Sequence, residues 1–303
     1  MTKRYNCHIA VAFCILSLFS GCTSSSLFVI NSLARLGQYR TQENLSYGKA
    51  KLNHLDLYIP ESRQTKTKKY PVVIFFYGGC WGECSSFGRE SYRFVADALT
   101  SYQFITVIAD YRRYPEVVFP EIIEDSKSIV EWVRNNIDLY QGDSNQIFLM
   151  GHSAGAHLAA LLTLDESYLD LQTYKSIKGF IGIAGPYDFL PFTESYQEIL
   201  FGPVEKHPAS QPINFVNGNE PALLLLHGEG DKKVLPRNSI NLHKIVTRSG
   251  GCSDLKLYKN VNHTDILAHL AYPFNSNEPM LKHIIEFLNN YSMNSPLCKK
   301  PLG

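Results

Sequence analysis

The ten residues Gln146-Ile147-Phe148-Leu149-Met150-Gly151-His152-Ser153-Ala154-Gly155 constrain this chain more than any other stretch. Four apolar residues run straight into a serine bracketed by glycines, and His157-Leu158-Ala159-Ala160-Leu161-Leu162 follows with helix-forming composition. A short apolar run of this kind suits a strand buried on both faces. Turning from such a strand into a helix within a few residues strains the backbone and brings chain segments so close that a Cβ on either flank collides. G-x-S-x-G at that junction places the serine hydroxyl at the tip of the turn, beside the N–H groups and positive dipole end of the helix. The stretch therefore predicts a nucleophile elbow with Ser153 at its tip. The same pattern also serves as a plain Ser/Gly helix cap, so its meaning depends on what the rest of the chain supplies.

From Leu45 onward strand-like and helix-like segments alternate with no linker, repeat or low-complexity break. Continuous apolar runs at Pro71–Tyr77, Phe104–Ala109, Ile147–Met150, Phe180–Ala184 and Ala222–Leu226 read as central strands. Leu55, Leu57 and Ile59 alternate with His54, Asp56 and Tyr58 up to Pro60, which predicts a half-exposed antiparallel edge strand. Helical patterns lie at Tyr92–Ser101, Ile122–Ile137, Ala156–Leu164, Ile240–Thr247 and Met280–Leu288, the second carrying an apolar stripe of Ile122, Ile129, Val133 and Ile137. The expectation is one α/β domain over residues 45–293, a doubly wound and mostly parallel sheet, with a tail at 294–303.

In such a sheet, chemistry gathers on loops at the carboxyl ends of strands. The loop after Ala222–Leu226, His227-Gly228-Glu229-Gly230-Asp231, delivers Asp231, and the loop after Leu255–Tyr258, Asn260-Val261-Asn262-His263, delivers His263. Each alone reads as a turn aspartate or a helix-capping histidine; together with Ser153 they form an acid–base–nucleophile set on three suitable loops. Asp265 and His269 are the nearest rivals, discounted because they continue into the next helix. His152 is expected to be a packing or pocket residue, and His157 to be buried one turn into the helix after the elbow.

Ser153, Asp231 and His263 follow the chain order of the α/β-hydrolases. Tyr77-Gly78-Gly79-Cys80-Trp81 after the first central strand is similar to the H-G-G-G-W loop of their esterase/lipase branch, with tyrosine for histidine and cysteine for the third glycine. Asp110-Tyr111-Arg112, Pro115, Pro120, Asp125 and Gly185-Pro186-Tyr187-Asp188 extend the resemblance over residues 45–291. The resemblance implies an α/β-hydrolase fold, an oxyanion hole made by the N–H groups of Gly79, Cys80 and Ala154, and a carboxylesterase-like serine hydrolase acting on small or short-acyl esters without a cofactor. Kynurenine-formamidase-like enzymes share the loop and the set of three residues, so formamide hydrolysis is the alternative. A catalytically silent, membrane-tethered binding protein is a third reading, disfavoured because all three residues and the elbow are kept together.

A formal net charge of +1 over 303 residues excludes the basic footprint of a dedicated nucleic-acid binder. No C-x-x-C or H-E-x-x-H spacing occurs, and no metal is expected. The N-terminus reads as a targeting segment: Lys3 and Arg4, an apolar Ile9–Phe19 and small Ser20-Gly21. Leu18-Phe19-Ser20-Gly21-Cys22 resembles a bacterial lipobox, which implies a signal peptide over 1–21, lipidation at Cys22, a tether and N-terminal segment over 22–44 with Thr23-Ser24-Ser25-Ser26 as its flexible part and, with Thr23 next, an outer-membrane position facing the periplasm. Export permits disulfides, and Cys80 with Cys84 or Cys252 with Cys298 are conceivable pairs, free thiols being the alternative.

Overall fold

The computed structural model describes residues 23–61, 69–84, 87–276 and 279–292. The expected signal peptide, the lipid-bearing Cys22 and the tail at 294–303 lie outside them.

Eight strands form a single sheet: β1 (Tyr39–Ser46), β2 (His54–Pro60), β3 (Tyr70–Phe76), β4 (Ile105–Ala109), β5 (Gly142–His152), β6 (Ile177–Ile183), β7 (Ala222–Gly228) and β8 (Ser253–Tyr258). Their order is β1-β2-β4-β3-β5-β6-β7-β8. β1 and β2 are antiparallel to their neighbours, and β4 to β8 with β3 run parallel. Every apolar run expected to be a central strand is one, and β3, β4, β5, β6 and β7 are buried over most of their length, as strands covered on both faces must be.

The five helices expected from periodicity are present, and four that it did not place accompany them among the described residues. They are α1 (Thr23–Ala34), α2 (Arg93–Thr100), α3 (Phe119–Asn136), α4 (Ala154–Leu164), α5 (Leu171–Ser176), α6 (Ser195–Phe201), α7 (Arg237–Arg248), α8 (Asp265–Ala268) and α9 (Met280–Ser292). The α3 stripe is fully buried. α4 packs across β5, β6 and β3, so the helix of the elbow lies over the centre of the sheet.

Two sequence expectations need correction. β2 is not the edge strand: it lies between β1 and β4, and all but its first residue is buried. The carboxylate among the positions that suggested exposure is satisfied internally. Asp56 accepts from the Asn44 N–H at 2.8 Å and pairs with Arg89 at 2.9 Å. The true edge is β1, and a boundary at residue 45 cuts through it. Within the N-terminal segment ahead of that boundary, α1 packs on α2 with Ile30 and Ala34 buried, and Asn31 Nδ2 donates to the Ser91 carbonyl at 2.7 Å.

Candidate active site

Ser153 sits between β5 and α4 with φ 55° and ψ −125°, a left-handed backbone that a serine adopts only when its surroundings enforce it. The Ser153 N–H donates to the Ile183 carbonyl at 2.9 Å, tying the turn to β6, and the His157 N–H returns to the Ser153 carbonyl at 3.1 Å. Gly155 explains the motif's last position: its α-carbon lies against the carbonyls of Phe76 and Tyr77, where an added Cβ would overlap backbone.

The three loops converge. Ser153 Oγ donates to His263 Nε2 at 2.9 Å, and His263 Nδ1–H donates to Asp231 Oδ2 at 2.7 Å. These bonds assign the tautomer, since the carboxylate only accepts. Ser153 is 6% exposed, His263 9% and Asp231 2%, so all three are buried. Asp231 Oδ1 accepts the N–H groups of Lys233 and Val234, each at 2.9 Å. Burial pushes the Asp231 carboxyl up, but hydrogen bonding from His227 and His263 outweighs it and holds the group well below the usual carboxylate range.

Supporting residues appear that the sequence did not single out for this role. His227 Nε2–H donates to the Val234 carbonyl at 2.9 Å and lies 3.4 Å from Asp231 Oδ2, while its Nδ1 accepts from Ser239 Oγ at 2.7 Å. His152, expected as a packing or pocket residue, donates from Nε2 to the backbone carbonyl of His263 at 2.9 Å, with the two rings 5.0 Å apart. His157 is buried as expected: Nε2–H donates to the Ser210 carbonyl at 2.7 Å, and Nδ1 accepts from Trp81 Nε1–H at 3.2 Å. Burial, followed for His152 by repulsion from His263, lowers His152 to about 3, and burial lowers His157 to about 4, so both stay neutral. The rivals stay apart: Asp265 accepts from Asn262 Nδ2 at 2.6 Å and opens α8.

The loop after β3 closes the other side. Gly79, Cys80 and Trp81 all have positive φ, at 128°, 53° and 56°, and a Cys80–Cys84 disulfide spans the bend. Cys252 is also disulfide-bonded; Cys298, one conceivable partner, lies outside the described residues. Tyr77, where the resembled loop carries histidine, stacks between Tyr92 and Tyr111 and donates its hydroxyl to Asp110 at 2.7 Å, while Tyr111 donates to the Tyr77 carbonyl at 2.7 Å. An aromatic wall of Trp81, His157, Phe189 and Phe201 packs behind the bend. Ser153, Ala154 and Cys80 open onto a cavity of about 540 Å³. Its lip comes from 186–197 in the β6–β7 connection and 232–238 after β7. Among the described residues no group of His, Cys, Asp and Glu side chains is placed to hold a metal ion.

A mostly parallel eight-stranded sheet with Ser153 on the β5–α4 turn, Asp231 after β7 and His263 after β8 is the α/β-hydrolase fold. Solved structures agree: a truncated carbohydrate esterase from gut microbiota superposes with a TM-score of 0.71 at 21% identity over 84% of this chain and 98% of that one. Esterase 2 of Thermogutta terrifontis does so with 0.69 at 20% identity over 85% and 96%. Within that class the chain belongs to the BD-FAE family, whose model matches residues 55–246. Among sequence relatives, a probable isoprenylcysteine alpha-carbonyl methylesterase of rice, Oryza sativa subsp. japonica, is 29% identical over 274 residues, 80% of this chain. Esterase LipC of Mycobacterium tuberculosis is 31% identical over 215 residues, 64% of this chain. The chain spans 61% of the rice protein's length and 52% of LipC's.

Proposed function

We propose that the protein is a serine hydrolase of carboxylic esters with small or short acyl groups, using Ser153 as nucleophile, His263 as base and Asp231 as the group that orients the base. The continuous Ser153–His263–Asp231 hydrogen-bond chain carries this reading. His263 Nε2 takes the hydroxyl proton as Ser153 Oγ bonds to the acyl carbon, and the carbonyl π pair moves onto oxygen. The N–H groups of Gly79, Cys80 and Ala154 then receive that oxyanion. Collapse expels the alcohol, which takes the proton from His263, and water repeats the sequence on the acyl-enzyme. No cofactor enters these steps. The names of the relatives, methylesterase and esterase, support an ester over a formamide.

The test is Ser153→Ala: turnover of 4-nitrophenyl acetate and labelling by a fluorophosphonate are both expected to vanish while the far-UV circular dichroism stays unchanged. Undiminished labelling of the variant refutes the assignment. The Leu18–Cys22 stretch supports a second part of the reading, a periplasm-facing outer-membrane protein acylated at Cys22 and held by its lipid chains. Among the described residues no helix is long and apolar enough to cross a membrane. Mass spectrometry of the purified N-terminus tests the anchor, and an unmodified terminus beyond residue 22 refutes it.

A further inference from the structure

We propose that Lys232, Lys233 and Arg237 select esters that carry a second, anionic group, such as a carboxylate, a few bonds from the scissile carbonyl. The inference rests on reading Ser153 as the ester-attacking nucleophile. All three cations line the cavity onto which Ser153 opens, and all three are exposed. Among the described residues none of them has a carboxylate within ion-pair distance. Two acids, Glu83 and Glu194, line the same cavity from other segments and leave these cations unpaired.

The backbone fixes where the charges emerge. Lys232 and Lys233 directly follow Asp231, whose carboxylate holds the N–H groups of Lys233 and Val234, so the loop turns tightly at the acid of the hydrogen-bond chain. Arg237 opens α7, whose first turn contains no acid. The next residue, Asn238, is locked by accepting the N–H groups of Tyr187 and Asp188 at 2.9 and 2.8 Å. Three like charges within six residues repel one another, and a nearly neutral protein has no need to concentrate them at one lip. An anion on the substrate relieves that repulsion, and the low-dielectric aromatic wall on the cavity's inner side strengthens the attraction. Neutral parts of the ester are left to Trp81 and Phe189, which line the cavity as well.

Two matched substrate pairs test this on the purified protein. Methyl 4-acetoxybenzoate against 4-acetoxybenzoate places the anion on the leaving group; 4-nitrophenyl butyrate against mono-4-nitrophenyl glutarate places it on the acyl group. The readout is the ratio of kcat/KM, anionic over neutral, in the wild type and in Lys232→Ala/Lys233→Ala/Arg237→Ala. In at least one pair the ratio is expected to fall about tenfold in the triple variant, as the loss of three partly screened attractions implies. In the wild type the same ratio is expected to shrink as salt rises to about 0.5 M. Ratios within about twofold of wild type in both pairs overturn the inference. If the wild type cleaves the neutral esters without any dependence on charge, only this inference fails; if it cleaves none of the four, the hydrolase reading fails with it.

Discussion

Two segments flank Ser153, and they are held rigid in opposite ways. The turn over residues 151–155 borrows its geometry from the core: α4 is buried along its whole length, the Ser153 N–H is fixed to β6, and Gly155 lies against the backbone after β3. The bend over residues 79–84 is held locally, by a disulfide, by the N–H groups of Gly82 and Cys84 returning to the Gly79 carbonyl at 2.9 and 3.2 Å, and by the Tyr114 N–H on the Trp81 carbonyl at 2.9 Å. The contrast teaches that strain at one wall of the site is guarded by the global fold and at the other by a staple. Damage to the first should appear as unfolding, and damage to the second as lost turnover in a folded protein.

The largest expected effect tests the first half. Gly155→Val forces a branched side chain into the carbonyls of Phe76 and Tyr77 and should cost more than about 4 kcal/mol, seen as loss of soluble protein or a collapsed urea midpoint. A variant with the wild-type midpoint breaks the comparison. Acid should act on the same half. His152 and His157, at about 3 and about 4, are held below the unfolded value of about 6.5, so their contribution is complete above that pH and drains away as the pH falls from about 6.5 toward 4. Urea unfolding at pH 5 against pH 8 should show a loss of about 2–4 kcal/mol. Asp231, being depressed, adds its own loss only below about pH 4. Equal stability at the two pH values contradicts burial of two neutral imidazoles.

Gly78→Ala probes the seam between the halves. A Cβ there would come within 2.9 Å of both Ser153 Cβ and the His152 carbonyl. Displacing the hydroxyl rather than the fold, it should lower kcat about a hundredfold with a small change in melting temperature. A melting point that falls as far as that of a core variant would assign Gly78 to the global half. The smallest effect belongs to the staple. Cys84→Ser frees a very short loop, for a stability cost of about 2 kcal/mol and a kcat reduced about tenfold at unchanged KM. Full activity in this variant would show that the hydrogen bonds to Gly79 and Trp81 hold the bend without the disulfide.

What the sequence revealed follows the same division. The elbow was legible because its constraints are local: an apolar run, two glycines and a helix-forming stretch lie within twenty residues. Asp231 and His263 were legible from their places after strands, although their meeting with Ser153 is a tertiary fact. β1 was missed because Tyr-Arg-Thr-Gln-Glu-Asn-Leu-Ser has no apolar alternation, as an edge strand exposed over most of its length can afford. β2 was mistaken for an edge because the partners that satisfy Asp56 come from Asn44 and Arg89, on other elements. The roles of His152 and His227 had no sequence signal, since each depends on which atom a distant or folded-back loop presents to its ring.

The bond from His152 to the carbonyl of His263 joins the residue beside Ser153 to the backbone of the group that Ser153 must reach, 111 positions away in the chain. It acts as a strut. Sliding or tilting at the end of β5 would drag the β8–α8 loop along, so the separation between hydroxyl and imidazole changes less than either position does. The strut works alongside the tie from the Gly230 N–H to the Val261 carbonyl at 3.0 Å, and it requires position 152 to present a ring nitrogen able to donate.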